Sequence, residues 1–198
     1  MLPLLGAGAG GADDQAASEA ALAAIEPYRE TFERDFAERL AAKFGLLGRQ
    51  DGDLELIDTL MRLMASEQTD FTILFRRLAD FESQTDAAHG ALRDLFRDRA
   101  AFDAWSARYG ARLHAQGSDD DAARRLRMRR VNPRVVLRNH LAEAAIRQAQ
   151  SGDFGEIARL LRVLGHPFDD PAQATAQDDA DAGFPPDWAQ SIAVSCSS

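Results

Sequence analysis

Apolar residues recur every three or four positions along most of the chain, the spacing that predicts amphipathic α-helices. The first such row predicts a helix from Ser18 to about Phe44. Its apolar positions are Leu22, Ile25, Tyr28, Phe32, Phe36 and Leu40. Gly45 ends this row, and GRQDGD at 48–53 is typical of a turn. The opening quarter of the chain is therefore predicted to contain one long helix with one apolar stripe.

The middle of the chain predicts several shorter helices with apolar faces. Their apolar positions are Leu56, Ile57, Leu60, Met61 and Met64, then Phe71, Leu74, Phe75 and Leu78, then Leu92, Leu95, Phe96, Phe102, Trp105, Tyr109 and Leu113, and finally Leu126 and Met128. Asp53, Asp70 and Ser118 are the predicted N-caps. Because the phenylalanines and methionines follow helical spacing, we interpret them as core and not as a ligand groove.

The most sharply bounded pattern is a helical hairpin between residues 132 and 169. Asn132 is its predicted N-cap, and Pro133 occupies the first helical position, where a missing N–H costs nothing. Gly152 separates the two helices and Gly165 ends the second. A link this short predicts antiparallel packing. Leu141 and Leu160 are predicted to be buried, which would make the hairpin a centre of stability.

The two ends of the chain lack this periodicity. Residues 1–17 are rich in glycine and alanine and are predicted to form a flexible linker. Residues 169–198 are acidic and predict a solvated, disordered tail. The predicted architecture is thus all-α: helical hairpins in a domain at 18–168, between the linker and the tail.

Composition narrows the classes of function. The 198 residues carry a net charge of −9, and Lys43 is the only lysine. This charge disfavours a nucleic-acid or anionic-membrane binder, which would need excess basic residues. The chain contains no run of about 18 apolar residues that could span a bilayer and no basic leader, so a cytoplasmic location is the default expectation. The four histidines are too dispersed to predict a zinc site.

Two segments carry a resemblance to a known family. VNPRVVLRNHLAEAAIRQAQSGDFGEIARLLRVLGHPFDD and the terminal PPDWAQSIAVSCSS resemble the C-terminal end of the selenoprotein O family (SelO/YdiU), which are pseudokinase-fold protein adenylyltransferases. Weaker similarities occur in KFGLL at 43–47, DFTILFRRL at 70–78 and FDAWSARYGARL at 102–113. The resemblance covers nearly the whole chain but only the last part of the family's length.

The resemblance implies that this chain is part of an enzyme, although the chain itself would not carry out the reaction. Members move AMP from ATP to hydroxyl side chains of protein substrates, with Mg²⁺ neutralising the phosphates. The chain shows no glycine-rich phosphate loop with a lysine and no Asp/Asn metal pair. The ATP and Mg²⁺ sites are therefore expected upstream, in kinase-like lobes that would be this chain's partner. No catalytic residue is assigned here, and the isolated chain is expected to bind neither ATP nor metal.

An arginine-rich run is the first candidate site. Its members are Arg124, Arg125, Arg127, Arg129, Arg130, Arg134 and Arg138. One interpretation is an anion or partner-docking site, most simply for the missing catalytic domain. The other is a solvated face paired with acids of the same chain, including Asp119–Asp121 and the aspartates of the tail.

Cys196 is the second candidate site. It is the only cysteine, so no internal disulfide can form. By the resemblance it occupies the SCSS position where some members carry selenocysteine, which implies a redox role; an inert, exposed thiol is the alternative. For the whole chain, a stand-alone, non-catalytic helical interaction module remains the alternative to a SelO-like region. Whether the neighbouring upstream DNA encodes kinase-like lobes discriminates the two.

Overall fold

A computed structural model describes residues 12–83, 89–117, 120–171 and 174–192, and within these ranges every regular element is helical. The all-α prediction is confirmed. The α-helices are α1 Ala12–Lys43, α2 Asp53–Glu67, α3 Phe71–Leu78, α4 Gly90–Arg93, α5 Arg99–Ala115, α6 Asp121–Arg129, α7 Asn139–Gln150, α8 Gly155–Gly165 and α9 Ala176–Ala182. A 3₁₀ turn at Asp187–Ser191 follows them.

The chain divides into two compact units, Met1–Ala41 and Ala42–Ser198. In the first unit, α1 begins at Ala12, six residues before the predicted start at Ser18, and continues without a break through Pro27. The early start has a local cause, because alanine is the strongest helix former and dominates the sequence AASEAALAA. The last part of the predicted linker is therefore helical.

The core of the second unit is aromatic and lies where α2 packs against α5. Trp105 and Tyr109 are at most 1% exposed, and their rings stack with centroids 5.0 Å apart. Trp105 Nε1 donates to the carbonyl of Leu56 at 2.9 Å, and the Tyr109 hydroxyl donates to that of Phe44 at 2.6 Å. Both polar atoms thus keep a partner after burial has removed them from water.

Gly45 allows α6 to lie close to the residues that follow α1. Its φ is +68°, in the left-handed region that glycine enters without strain. A Cβ here would meet Met128 Sδ at 2.7 Å and Arg124 Cγ at 2.8 Å. The glycine that the pattern marked as a helix stop is therefore also required by a tertiary contact.

The predicted hairpin is present as α7 and α8, but the prediction of Asn132 as its N-cap is wrong. Helix α7 begins at Asn139, with Arg138 as its N-cap. Asn132 is completely buried and exchanges two 2.9 Å hydrogen bonds with Lys43, from its amide to the Lys43 carbonyl and from Lys43 Nζ to its Oδ1. A side chain engaged with residue 43 cannot cap the helix that follows it. Pro133 also disfavours helical backbone at residue 132.

The acidic C-terminal segment contains an element that the sequence pattern did not predict. Helix α9 begins with a capping box in which Asp178 N–H donates to the Thr175 hydroxyl at 3.1 Å, and Thr175 N–H donates to the Asp178 carboxylate at 3.1 Å. Asp178 and Asp181 are at most 3% exposed. The interpretation of a solvated tail therefore does not hold for this stretch.

Candidate functional site

The arginine cluster lies on α6 and on the irregular segment that joins α6 to α7. Asp120 caps α6 by accepting the N–H of Ala123 at 2.9 Å. Acidic residues at the start of the helix and arginines in its last turn both suit the helix dipole. Local sequence therefore favours this helix, while the tertiary structure decides what each guanidinium meets.

Arg124 is a packing residue of the core. Only 2% of it is exposed. Its guanidinium donates to the carbonyl of Phe81, lies 5.9 Å from the Phe81 ring centroid, and forms an ion pair with Asp121 at 3.2 Å. A side chain held in this way has no surface to offer an external anion.

Two further members of the cluster, Arg125 and Arg129, pair with acids of the same chain. Both reach Asp80, at 2.9 Å and 2.8 Å. Arg129 also reaches Asp170 at 2.8 Å, and Arg76 of α3 donates to the same carboxylate. These contacts tie α3, α6 and the start of the acidic segment together.

Arg134 and Arg138, on the connecting segment, are also paired. Arg134 contacts Asp179 at 2.5 Å, and Arg138 donates to both oxygens of Asp70 at 2.5 Å and 3.1 Å. Burial by itself would raise the pKa of Asp70, but the hydrogen bonds from Arg138 and from the backbone N–H of Ile73 outweigh it and lower that pKa. Asp70 is the N-cap of α3, as predicted.

The remaining two members of the cluster differ from the other five. Arg127 is half-buried and Arg130 is exposed. Within the described ranges neither forms an ion pair, in contrast to the other five arginines of the cluster. The geometry therefore supports pairing within the chain for most of the cluster and leaves two guanidinium groups for an outside partner.

Sequence reasoning missed a second charged cluster, centred on Arg159 of α8. The Arg159 guanidinium contacts Glu156 at 2.7 Å, Asp178 at 3.0 Å and Asp181 at 2.6 Å. Hydrogen bonds from Thr175, first its backbone N–H, lower the pKa of Asp178. The Thr-x-x-Asp spacing at 175–178 is a capping-box signature that could have revealed α9, although nothing local indicates that Arg159 is its partner.

A cavity of about 430 Å³ adjoins this second cluster. Its lining carries both signs of charge: Arg134, Arg162, His166, Asp169, Asp170 and Asp178. Arg134 already pairs with Asp179, and Arg162 lies 3.6 Å from Asp178. Because these side chains largely neutralise one another, the cavity shows no preference for an anion or a cation.

The other candidate residues offer no catalytic arrangement. Cys196 lies outside the described residues. Burial lowers the pKa of His140, whose ring faces Trp188 edge-on with centroids 6.0 Å apart. Burial likewise lowers the pKa of His89, which stacks on Phe81 at 3.8 Å. In the part of the chain that the structure describes, both histidines with a shifted pKa are therefore packing residues.

Comparison with known proteins supplies the context for these sites. A family model described as "Protein adenylyltransferase SelO" matches residues 15–164. This chain belongs to the SelO family. A relative from Burkholderia orbicola (strain MC0-3), named "Protein nucleotidyltransferase YdiU", is 45% identical over the whole of this chain. A relative of the same name from Herminiimonas arsenicoxydans is 46% identical over 88% of it.

The match covers only part of the length of these SelO-family relatives. The chain spans 38% of the length of the Burkholderia orbicola protein and 34% of that of the Herminiimonas arsenicoxydans protein. The predicted resemblance to the SelO/YdiU family is confirmed, as is its restriction to a fraction of the family's length. In the described ranges, no helix is long and apolar enough to cross a membrane.

Nucleotidyl transfer in the SelO family implies a nucleotide and a divalent cation, so the carboxylates of this chain can be tested for fit. The described residues contain no group of three or more His, Cys, Asp or Glu side chains arranged to hold a metal ion. Three carboxylates that do lie together, those of Glu156, Asp178 and Asp181, already contact the Arg159 guanidinium at 2.6–3.0 Å. A guanidinium at that distance competes directly with a dication, so these residues do not fit Mg²⁺, and no chemical step is assigned to them.

Proposed function

We propose that this chain is the helical region of a SelO-like protein adenylyltransferase, which moves AMP from ATP to hydroxyl side chains of protein substrates. The observation that carries the proposal is the family match over residues 15–164 in a chain that spans about two fifths of its relatives. The kinase-like lobes, with the ATP and Mg²⁺ sites, lie in the part of the protein that this chain lacks. The helical region acts as a buttress for those lobes and performs no chemistry itself.

Within this proposal, Arg127 and Arg130 contribute to docking on the catalytic lobes. They are the members of the arginine cluster without a carboxylate partner among the described residues. The exposed guanidinium of Arg130 keeps its full capacity for bidentate bonds to a carboxylate or a phosphate, whereas Arg127 is half-buried with its Nη2 enclosed and contributes through its remaining N–H groups. The five paired arginines stabilise the helical region itself.

The proposal also assigns a redox role to Cys196. In a complete family member, its thiol and a cysteine of the catalytic domain are oxidised to a disulfide, while two electrons and two protons pass to a peroxide-type oxidant. Formation of this bond gates the transfer activity. Native-state labelling tests the premise: Cys196 should react with a thiol reagent without denaturant, and mild oxidation should give a disulfide-linked dimer that Cys196→Ser abolishes. Labelling that requires denaturant would contradict the redox role.

Measurements of nucleotide binding and of AMP transfer test whether the catalytic lobes carry out the chemistry and this chain supports them. Titration calorimetry of the 198-residue chain with ATP and Mg²⁺ should show no binding; a Kd below about 100 μM, or roughly −5.5 kcal/mol, would overturn the proposal. In a chimera, this chain replaces the matched region of the Burkholderia orbicola relative. The chimera should transfer labelled AMP to an acceptor protein. A chimera that folds but transfers nothing, beside an active relative, would also overturn it.

A further inference from the structure

The apolar stripe of α1 is largely exposed. Its last member, Leu40, is half-buried. The other large side chains are between 40% and 68% exposed: Leu22, Ile25, Tyr28, Phe32 and Phe36. Three of the rings lie in a row, with centroids 6.1 Å apart from Tyr28 to Phe32 and 5.7 Å apart from Phe32 to Phe36. Isolated exposed apolar side chains are common on protein surfaces, whereas a continuous row of this size is typical of an interface.

Polar residues lie opposite the stripe of α1 and also beside it. At 100° per residue, Glu30 and Arg34 lie about 160° from Phe32 around the helix axis, whereas Arg39 lies only about 20° from it. The ion pairs on this helix are about half exposed or more, Arg34 with Asp35 at 3.0 Å and Arg29 with Glu26 at 3.8 Å, and exposed pairs of this kind contribute little stability. Most of the stability that α1 can acquire therefore comes from covering its apolar side.

The spacing of the stripe indicates what kind of surface covers it. Tyr28, Phe32, Phe36 and Leu40 are each four residues apart, so they form a ridge inclined to the helix axis. Ridges of this type interdigitate with those of a helix that crosses at about −50°. A long coiled coil between two copies of α1 needs alternating steps of three and four residues instead. A crossing helix in a globular surface fits the ridge better than a second copy does.

The length of the relatives indicates where that surface lies. The family match begins at residue 15 and therefore includes nearly all of α1, while this chain spans only 38% of the Burkholderia orbicola relative. A complete family member thus carries α1 on the same polypeptide as a larger part that is absent here. Docking within one polypeptide gains from high effective concentration, so a stripe of modest area suffices.

We propose that the α1 stripe docks against an apolar, helix-lined surface in the part of a complete family member that this chain lacks. The inference rests on the proposed function only in taking this chain as one region of a longer protein. It places an apolar contact on the first unit, in addition to the polar contacts proposed for Arg127 and Arg130.

Cysteine accessibility tests the docking in the chimera described above, in a Cys196→Ser background. Phe36→Cys reports on the stripe. Ala23→Cys is the matched control, because residue 23 is exposed and lies 180° around the helix from Phe32. The labelling rate at position 36 should be at least tenfold lower in the chimera than in the 198-residue chain, while that at position 23 changes less than twofold. Equal rates at position 36 in the two proteins would overturn the proposal.

Two other occupants of the stripe have distinct outcomes. Sedimentation of the 198-residue chain should show a monomer; a dimer that protects position 36 and is lost in Phe32→Asp would identify a second copy as the occupant. Slow labelling at position 36 in a monomeric chain would show that the stripe is covered within this chain. Either result contradicts the proposal.

Docking and function can fail separately. A chimera that transfers AMP while position 36 labels rapidly retains the proposed function and contradicts the docking. A chimera in which position 36 is protected but no AMP is transferred retains the docking and contradicts the proposed function. If the chimera does not fold, the complete Burkholderia orbicola relative carries the same test, with cysteines at the positions aligned with residues 36 and 23.

Discussion

The aromatic core between α2 and α5 and the α7–α8 hairpin were predicted from the same helical periodicity, yet they differ greatly in burial. Every residue of the predicted apolar face of α5, including Trp105 and Tyr109, is at most 1% exposed. The apolar residues that α7 and α8 bury are Leu141, Ala145 and Leu160, with Leu164 packed against them.

The outer positions of the hairpin show where the difference arises. Ile146 of α7 and Leu161 of α8 are 52% and 69% exposed, although helical spacing places them in the same segments as the buried leucines. Helical spacing indicates which residues share a face, but the depth of burial depends on how many other elements cover that face. Helix α5 contacts α2 and α4, whereas the main neighbour of each hairpin helix is the other. The hairpin is thus expected to contribute less stability than the aromatic core.

Removal of Trp105 tests the aromatic core and should have the largest effect. Trp105→Ala leaves a cavity and removes the hydrogen bond from Trp105 Nε1 to the Leu56 carbonyl, so the free energy of unfolding should fall by about 3–5 kcal/mol in urea unfolding followed by circular dichroism. Trp188→Ala is the matched control, because Trp188 is 46% exposed, and it should cost less than about 1 kcal/mol. Similar losses for the two variants would show that the core assignment is wrong.

The hairpin should respond less strongly. Leu141 is 4% exposed, and Leu141→Ala should cost about 2–3 kcal/mol, since the few neighbours around it can partly collapse into the space. Leu161→Ala, at a position 69% exposed on the same hairpin, should stay within about 0.5 kcal/mol of the parent. A loss for Leu141→Ala as large as that for Trp105→Ala would restore the hairpin as the centre of stability. A loss below about 0.5 kcal/mol would contradict its helix phase.

The ion pair of Asp70 with Arg138 joins α3 to the start of the hairpin. Both side chains are only 16% exposed. A double-mutant cycle of Asp70→Ala and Arg138→Ala should give a coupling energy of about 1–2 kcal/mol. The same cycle on Asp58 and Arg62, a pair more than half exposed on α2, should give about 0.3–0.5 kcal/mol. Equal coupling energies would mean that the contact between the two regions is no stronger than a surface pair.

Lowering the pH should weaken both regions through their buried carboxylates. Burial alone would raise the pKa of Asp53, but hydrogen bonds from Arg112 and from the Gln50 N–H hold it below the ordinary 3.8; the pKa of Asp70 is lowered in a similar way. Since the folded pKa is the depressed one, this stability is complete above the unfolded value and is lost as the pH falls through the folded value. The urea midpoint should therefore drop between about pH 5 and about pH 2.

The variant Asp70→Asn tests whether the Asp70 carboxylate contributes to this pH dependence of stability. It should be less stable than the parent at pH 7 and should lose less on acidification, because one depressed carboxylate has been removed. Asp58→Asn, at an exposed position, is the control and should keep the parental slope. Identical slopes in all three proteins would exclude Asp70 as a source of the pH dependence.

Much of the fold could be predicted because the interactions that determine it are local. The apolar face of α5, the cap of α3 by Asp70 and the buried positions Leu141 and Leu160 all follow from spacing within one or two turns of helix. Two of the predicted caps, Asn132 and Asp53, failed because of long-range contacts. The third, Ser118, lies outside the described residues, and Asp120 caps the helix that follows it. Asp53 lies in the first turn after the true cap, Gly52, and is held by Arg112 at 2.5 Å. No local rule identifies a partner 59 residues away.

The sequence by itself determined the helices, their apolar faces, the acidic balance and the resemblance to SelO, since these depend on residue type and short-range spacing. Only the tertiary structure decided which arginines are occupied. Arg124 is buried against Phe81, Arg138 holds Asp70, and Arg159 orders α9 through Asp178 and Asp181. The physical reason is that a charge selects its partner by proximity in three dimensions, and the order of residues along the chain does not specify that proximity.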